Sequence, residues 1–177
     1  FTENLSTLER ELQRSKDEFI KEHCAKYGKE GYPPAWKILE LASFGCLTKL
    51  YFNFADTTIK KKIARSYGVP QHEMLESWMK AVNALRNACA HHERIWNRVM
   101  PVIPQLPATL RNTWITDKPQ MANRFYAVFC CLIYWLNAIE PENTLVQDFK
   151  SLLQELPNVD TTAMGFTTNW KEDPFWL

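Results

Sequence analysis

Residues 70–98 contain no glycine and no internal proline, and Leu75, Trp78, Val82, Leu85, Cys89 and Trp96 recur along them at spacings of three, four or seven. That is the spacing of one face of an α-helix, so the segment is expected to form a single long helix with a buried stripe. Such a stripe has to lie against further helices or a sheet. No other segment alternates apolar and polar residues with the period of two that a half-buried strand requires, which leaves an all-α fold.

The remaining segments agree. Residues 4–27 carry Leu5, Leu8, Leu12, Phe19 and Ile20 at near-helical spacing among many charges until Gly28 and Gly31, and predict one surface helix. Pro33 and Pro34 suit the first turn of a second, well-buried helix in which Trp36, Leu39, Ser43, Leu47, Leu50 and Phe54 repeat and which contains Glu40. Asp56 or Thr57 can cap a shorter helix that runs through Ile59, Ile63 and Tyr67 and ends at Gly68.

Pro101, Pro104 and Pro107 then enforce an extended crossing. Lys118-Pro119 restarts a helix to about Ile139, and Leu145, Phe149, Leu152 and Leu153 mark another after Pro141. The sum is a bundle of about five to six helices with an irregular tail. That tail, residues 157–177, keeps Met164, Phe166, Trp170, Phe175 and Trp176 and is expected to pack back over the bundle.

With 177 residues, 46% of them apolar, the chain is long enough for one sizeable core and is expected to form a single domain over residues 1–177. It opens at Phe1 with residues that already look like the approach to a helix, so a native N-terminal portion is expected to be missing. Lys plus Arg (21) nearly balances Asp plus Glu (20), so any nucleic-acid function must reside in a local patch. The five cysteines lack CxxC spacing and point to neither a disulfide framework nor a zinc site. The most apolar run, residues 125–136, is too short to span a bilayer, and no signal peptide is visible. A cytoplasmic protein without membrane partner or cofactor is expected.

The long helix carries the chemistry. With Arg86 at zero on a wheel of about 100° per residue, Leu75, Val82, Leu85, Cys89 and Trp96 fall between about −20° and −100°. Asn87, His91, Arg94 and Arg98 fall between about +80° and +140°, opposite the stripe. His92 borders the stripe as a structural or supporting residue, and Cys89 belongs to the core. The ridge of amide, imidazole and guanidiniums has the ingredients of RNA cleavage by internal attack of a ribose 2′-hydroxyl. Histidine as a residue type exchanges a proton near neutral pH, and guanidinium groups grip a phosphate in a forked geometry while its charge develops. An amide can orient the arginine. Glu93 falls off the ridge, which disfavours a metal centre there. A polar face opposite an apolar stripe is also what any surface helix shows.

Arg86-Asn87-x3-His91 followed by His92-x-Arg94-x-Trp96-Asn97-Arg98 resembles the Abi-like family of bacterial abortive-infection proteins, the D/F type, within the wider HEPN superfamily of helical RNases. Pro34-x-Trp36-x3-Glu40-Leu41-x2-Phe44-Gly45-x-Leu47 and Met164-Gly165-Phe166-x3-Trp170-x5-Trp176 agree with the same family. The resemblance implies a HEPN-like helical bundle, a homodimer and a composite, metal-independent endoribonuclease site that leaves a cyclic phosphate. By that correspondence Arg86 and His91 are the catalytic pair and Asn87 the polar residue after the arginine. Arg94 and Arg98 are added as phosphate contacts from the wheel. RNA is the implied substrate, and an antitoxin, protein or small RNA, the implied regulator. The alternative on the same fold is a non-catalytic RNA-binding or RNA-regulated module, and a third reading is a purely structural interaction protein.

Two further clusters stand beside the motif. Glu40 can brace Arg86 across the bundle as a supporting partner, or be an exposed glutamate with no such role. Lys60, Lys61, Lys62 and Arg65 can track an RNA backbone, or simply form a solvated face.

Overall fold

The computed structural model describes residues 2–28 and 32–177, so Gly31 and the Leu5 side chain lie outside the described residues. Eight α-helices and no strand are present among them. The backbone divides into two compact units, residues 1–55 and 56–177.

The first unit holds α1 (Thr2–Arg14), α2 (Glu18–Tyr27), α3 (Ala35–Leu41) and α4 (Phe44–Phe52). Each of the two helices expected here is broken in two, and in each case a short polar side chain is responsible. At the first break Ser15 Oγ donates to Asp17 Oδ2 at 2.7 Å and accepts from the Asp17 amide at 3.1 Å. This local pairing competes with the helical ladder. At the second break Ser43, read from the sequence as part of an apolar repeat, accepts from the Cys46 amide at 3.3 Å and is the N-cap of α4. The burial expected for this stretch is also corrected. No residue of α3 is buried, Trp36 is 60% exposed, and only Cys46, Thr48 and Tyr51 of α4 are buried.

The second unit begins with α5 (Thr57–Ser66) and α6 (His72–Ala90) and continues, after a long non-helical crossing, into α7 (Phe125–Ile139) and α8 (Leu145–Glu155). Asp56 caps α5 by accepting from the Thr58 amide at 2.7 Å, and Gly68 closes it at φ +72°. Helix α6 packs on both α5 and α7. Leu75, Trp78, Val82 and Leu85 are buried as the periodicity requires. Trp78 stacks on Trp114 and meets Tyr134 edge-on, each at 5.6 Å between centroids.

The proline-rich crossing is laced to α6. Trp78 Nε1 donates to the Gln105 carbonyl at 2.7 Å, and the Gln105 amide donates to Ser77 Oγ at 2.7 Å. Helix α7 starts at Phe125, later than Lys118-Pro119 suggests, because the preceding residues turn aside: the Arg124 amide bonds the Met121 carbonyl at 3.2 Å, and the Asn123 carbonyl accepts from Met100 at 2.8 Å. In the tail, three single-turn 3-10 helices bury Met164, Trp170, Phe175 and Trp176. Phe166 stacks on Phe149 at 5.6 Å, and Trp176 on Tyr126 at 5.8 Å. The aromatic run at the start of α7 is therefore core.

Gly68 offers a direct test of this packing. A Cβ there would stand 2.6 Å from the Tyr134 hydroxyl, which itself donates to the Gly68 carbonyl at 3.1 Å. Gly68→Ala combines left-handed strain with that clash, and is expected to destabilise by about 2–3 kcal/mol in a thermal melt. Gly28→Ala, at φ +78° and ψ 173°, meets nothing within 4 Å but enters a region essentially reserved for glycine, so strain alone should cost about 1–3 kcal/mol. Gly68→Ala combined with Tyr134→Phe, which removes the clashing hydroxyl, should lose less than the sum of the two single changes; simple additivity would mean that Tyr134 does not hold the turn.

Candidate functional site

Helix α6 does not run to Arg98. It ends at Ala90, with His91 as its C-cap and His92 in the left-handed conformation at φ +54°. The Glu93 amide bonds the Ala88 carbonyl at 2.9 Å and the His92 amide bonds the Cys89 carbonyl at 3.0 Å. These are the paired backbone bonds of a Schellman cap, a position usually filled by glycine. Histidine is among the few side chains that enter this conformation with some frequency.

The early stop redraws the expected ridge. Arg86, Asn87 and His91 are exposed at the end of α6, and the His91 amide still bonds the Asn87 carbonyl at 3.0 Å, one turn back. Arg86 Nη1 donates to Asn87 Oδ1 at 3.2 Å, so the amide orients the guanidinium. Arg94 and Arg98 do not share that helix face, because both lie on the irregular strap of residues 91–100. Arg94 is exposed there, whereas Arg98 forms an ion pair with Glu93.

Three placements made from the wheel fail, those of His92 and Trp96 because the helix stops before them. Cys89 and His92 are exposed instead of facing or bordering the core, and Trp96 is 43% exposed instead of lining the stripe. Ala88 and Leu85 bury the last turn in place of Cys89. The thiols can be ranked accordingly. Burial pushes the Cys130 and Cys131 thiols well above their usual range. Brief iodoacetamide treatment of the folded protein, read by peptide mass spectrometry, should alkylate Cys89 and leave those two untouched. Protection of Cys89 would restore it to the core.

The neighbouring candidates divide similarly. Lys60 does not decorate α5 toward solvent: it is 7% exposed and pairs with Glu76 at 2.9 Å. Lys61, Lys62 and Arg65 keep an exposed basic face on that helix. Glu40 is exposed on α3 of the first unit, whereas Arg86 belongs to the second. Among the described residues, no group of three or more His, Cys, Asp or Glu side chains is placed to hold a metal ion. No helix among them is long and apolar enough to cross a membrane.

Sequence reasoning missed the residues that hold the strap. Asn97, in the left-handed conformation at φ +50°, accepts from Arg124 Nη1 through both its carbonyl oxygen and its Oδ1, each at 3.0 Å. Trp96 Nε1 donates to the Asp160 carbonyl at 3.2 Å. The only local hint was that Asn, like His, tolerates positive φ.

A family model described as Abi-like protein matches residues 1–97, which is 97 of the chain's 177 positions. The match contains the Pro34 to Leu47 signature, Arg86, Asn87, His91 and Arg94, and stops at Asn97. The tail signature around Met164 and Trp176 lies beyond it. No curated protein and no solved structure matches the chain. With more than half of its residues covered, the site-bearing turn of α6 included, the chain belongs to the Abi-like protein family.

Proposed function

We propose that this protein is an endoribonuclease of the HEPN type, acting in abortive infection, the setting that membership of the Abi-like family suggests. One observation carries the reading: a guanidinium held by a neighbouring amide, Arg86 on Asn87, stands exposed in the last turns of α6, whose C-cap is the exposed His91. In the proposed reaction the 2′-oxygen of a ribose attacks the adjacent phosphorus and the bond to the 5′-oxygen of the next nucleotide breaks. The products are a 2′,3′-cyclic phosphate and a free 5′-hydroxyl. A histidine removes the 2′ proton, a second group returns one to the departing 5′-oxygen, and Arg86 stabilises charge on the non-bridging oxygens.

One histidine cannot take up and deliver a proton in the same instant. A homodimer with two copies of the Arg86/His91 pair at one cleft supplies both groups, and forms part of the proposal. Lys61, Lys62 and Arg65 provide exposed charge for an RNA backbone. RNA, a second copy of the chain and an antitoxin are the proposed partners, in the cytoplasm.

The test is incubation of the purified protein with RNA in EDTA, followed by end-group analysis. Cleavage that survives chelation and leaves cyclic phosphate ends supports the proposal. Tight RNA binding without cleavage, weakened by Arg86→Ala, would replace it with a non-catalytic RNA-binding module.

A further inference from the structure

The strap of residues 91–100 connects the candidate site to the rest of its unit without regular structure, yet two of its residues, His92 and Asn97, hold left-handed conformations without being glycine. Such conformations persist only where their surroundings impose them. His92 is imposed by the cap of α6. Asn97 is imposed by Arg124, which lies outside the family match and outside the motif.

Arg124 is built into this task. It is the N-cap of α7, so its backbone is tied to the most buried helix of the unit. Its Nε is buried with no hydrogen-bond partner, and among the described residues no carboxylate forms an ion pair with it. Its stem lies against Gly165, where an added Cβ would stand 2.6 Å from Arg124 Cβ. The guanidinium therefore reaches the strap along a path that Gly165 keeps open, and grips one residue by both its carbonyl and its side-chain oxygen. Next to it, Trp96 is fastened to Asp160 and Met100 to Asn123. Fixing the far end of the strap while the cap of α6 fixes the near end leaves residues 93–96, Arg94 among them, a set path beside His91.

We infer that Arg124 is a positioning residue for the candidate site, acting through Asn97 to hold the strap that carries Arg94. The inference rests on the endoribonuclease reading, and goes beyond it by giving a role to a residue remote in sequence from the motif.

The experiment compares wild type, Arg124→Gln and Arg124→Gln/Asn97→Gly as full chains, with kcat and KM for RNA cleavage and hydrogen exchange of strap amides measured in parallel. Arg124→Gln is expected to lower kcat by about 10- to 100-fold, the scale of a misplaced reacting group, with KM changed less than about threefold. Exchange should quicken at residues 93–99 and not within α6 or α7. Glycine at 97 adopts positive φ without strain, so the double variant should recover a substantial part of the lost kcat. A purely stabilising role would give exchange that rises throughout the unit, with no rescue by Asn97→Gly, and would overturn the inference. Unchanged kcat in Arg124→Gln overturns it as well. If wild type itself cleaves no RNA, the endoribonuclease reading fails and the positioning role falls with it, while the exchange data still report whether Arg124 holds the strap.

Discussion

Alanine at His91 is expected to lower the single-turnover rate of RNA cleavage by about 10²- to 10⁴-fold, the contribution typical of a positioned proton-transfer group. Alanine at Arg86 should lower it by about 10²- to 10³-fold, as loss of one well-aimed donor to a developing charge does. Both side chains are exposed, and His91 is a cap whose backbone bond to Asn87 needs no particular side chain. Neither change should therefore move stability by more than about 0.5 kcal/mol. That separation of rate from stability is the discriminating result, because a structural ridge would show neither effect. Asn87→Ala removes the 3.2 Å bond that orients Arg86 but leaves the guanidinium in place, so its loss should be smaller than that of Arg86→Ala. Full cleavage by both Arg86→Ala and His91→Ala, with the proteins folded, would sink the assignment.

The proposed dimer makes a further demand on the same variants. If each site draws on two copies of the chain, mixing Arg86→Ala with His91→Ala protein can create some sites with a complete complement of groups, and activity should partly return. Sites contained within one copy would stay inactive after mixing.

How much of this was legible in the sequence depended on the range of the interaction concerned. Where a single residue type acts on its own backbone, the reading was sound: Asp56 caps α5, Gly68 ends it, and the Leu75, Trp78, Val82 and Leu85 stripe is buried. The breaks at Ser15–Asp17 and at Ser43 also come from local bonds, but hydrophobic spacing masks them, since the apolar period continues across the gap. The end of α6 was harder still. No glycine marks it, because His92 fills the left-handed position, and an ideal wheel carried past Ala90 placed Arg94, Trp96 and Arg98 on faces they do not occupy, while Cys89, still within the helix, is exposed because Leu85 and Ala88 bury the last turn. Arg86, Asn87 and His91 escaped that error because they precede or form the cap. The bonds from Arg124 to Asn97 and from Trp96 to Asp160 span 27 and 64 residues, and no local pattern announces them.

Lys60 shows what such a long-range partner changes, and it supports the largest stability effect expected here. Four basic residues in six positions read as a solvated or RNA-facing cluster, yet the side chains of Lys60 and its partner Glu76 are only 9% and 13% exposed, 2.9 Å apart. Lys60→Ala removes one charge and leaves the largely enclosed Glu76 carboxylate without this partner, which should destabilise by about 3 kcal/mol, the low end for a buried pair. In a domain of this size that is a fall in melting temperature of roughly 10 °C. The reason is desolvation of the surviving carboxylate rather than the worth of the attraction, so replacing both residues separates the two causes. Lys60→Met/Glu76→Leu keeps the volume, removes both charges and should lie within about 1–2 kcal/mol of wild type, well above the single variant. RNA affinity gives the complementary readout. Lys61→Ala and Lys62→Ala should each reduce the steepness with which binding falls as salt rises, by about one counterion or less, whereas the Lys60→Met/Glu76→Leu protein should keep the wild-type slope. A Lys60→Ala protein that melts normally but binds RNA with a shallower salt dependence would return that lysine to the basic face and leave the pairing of α5 with α6 to the apolar contacts alone.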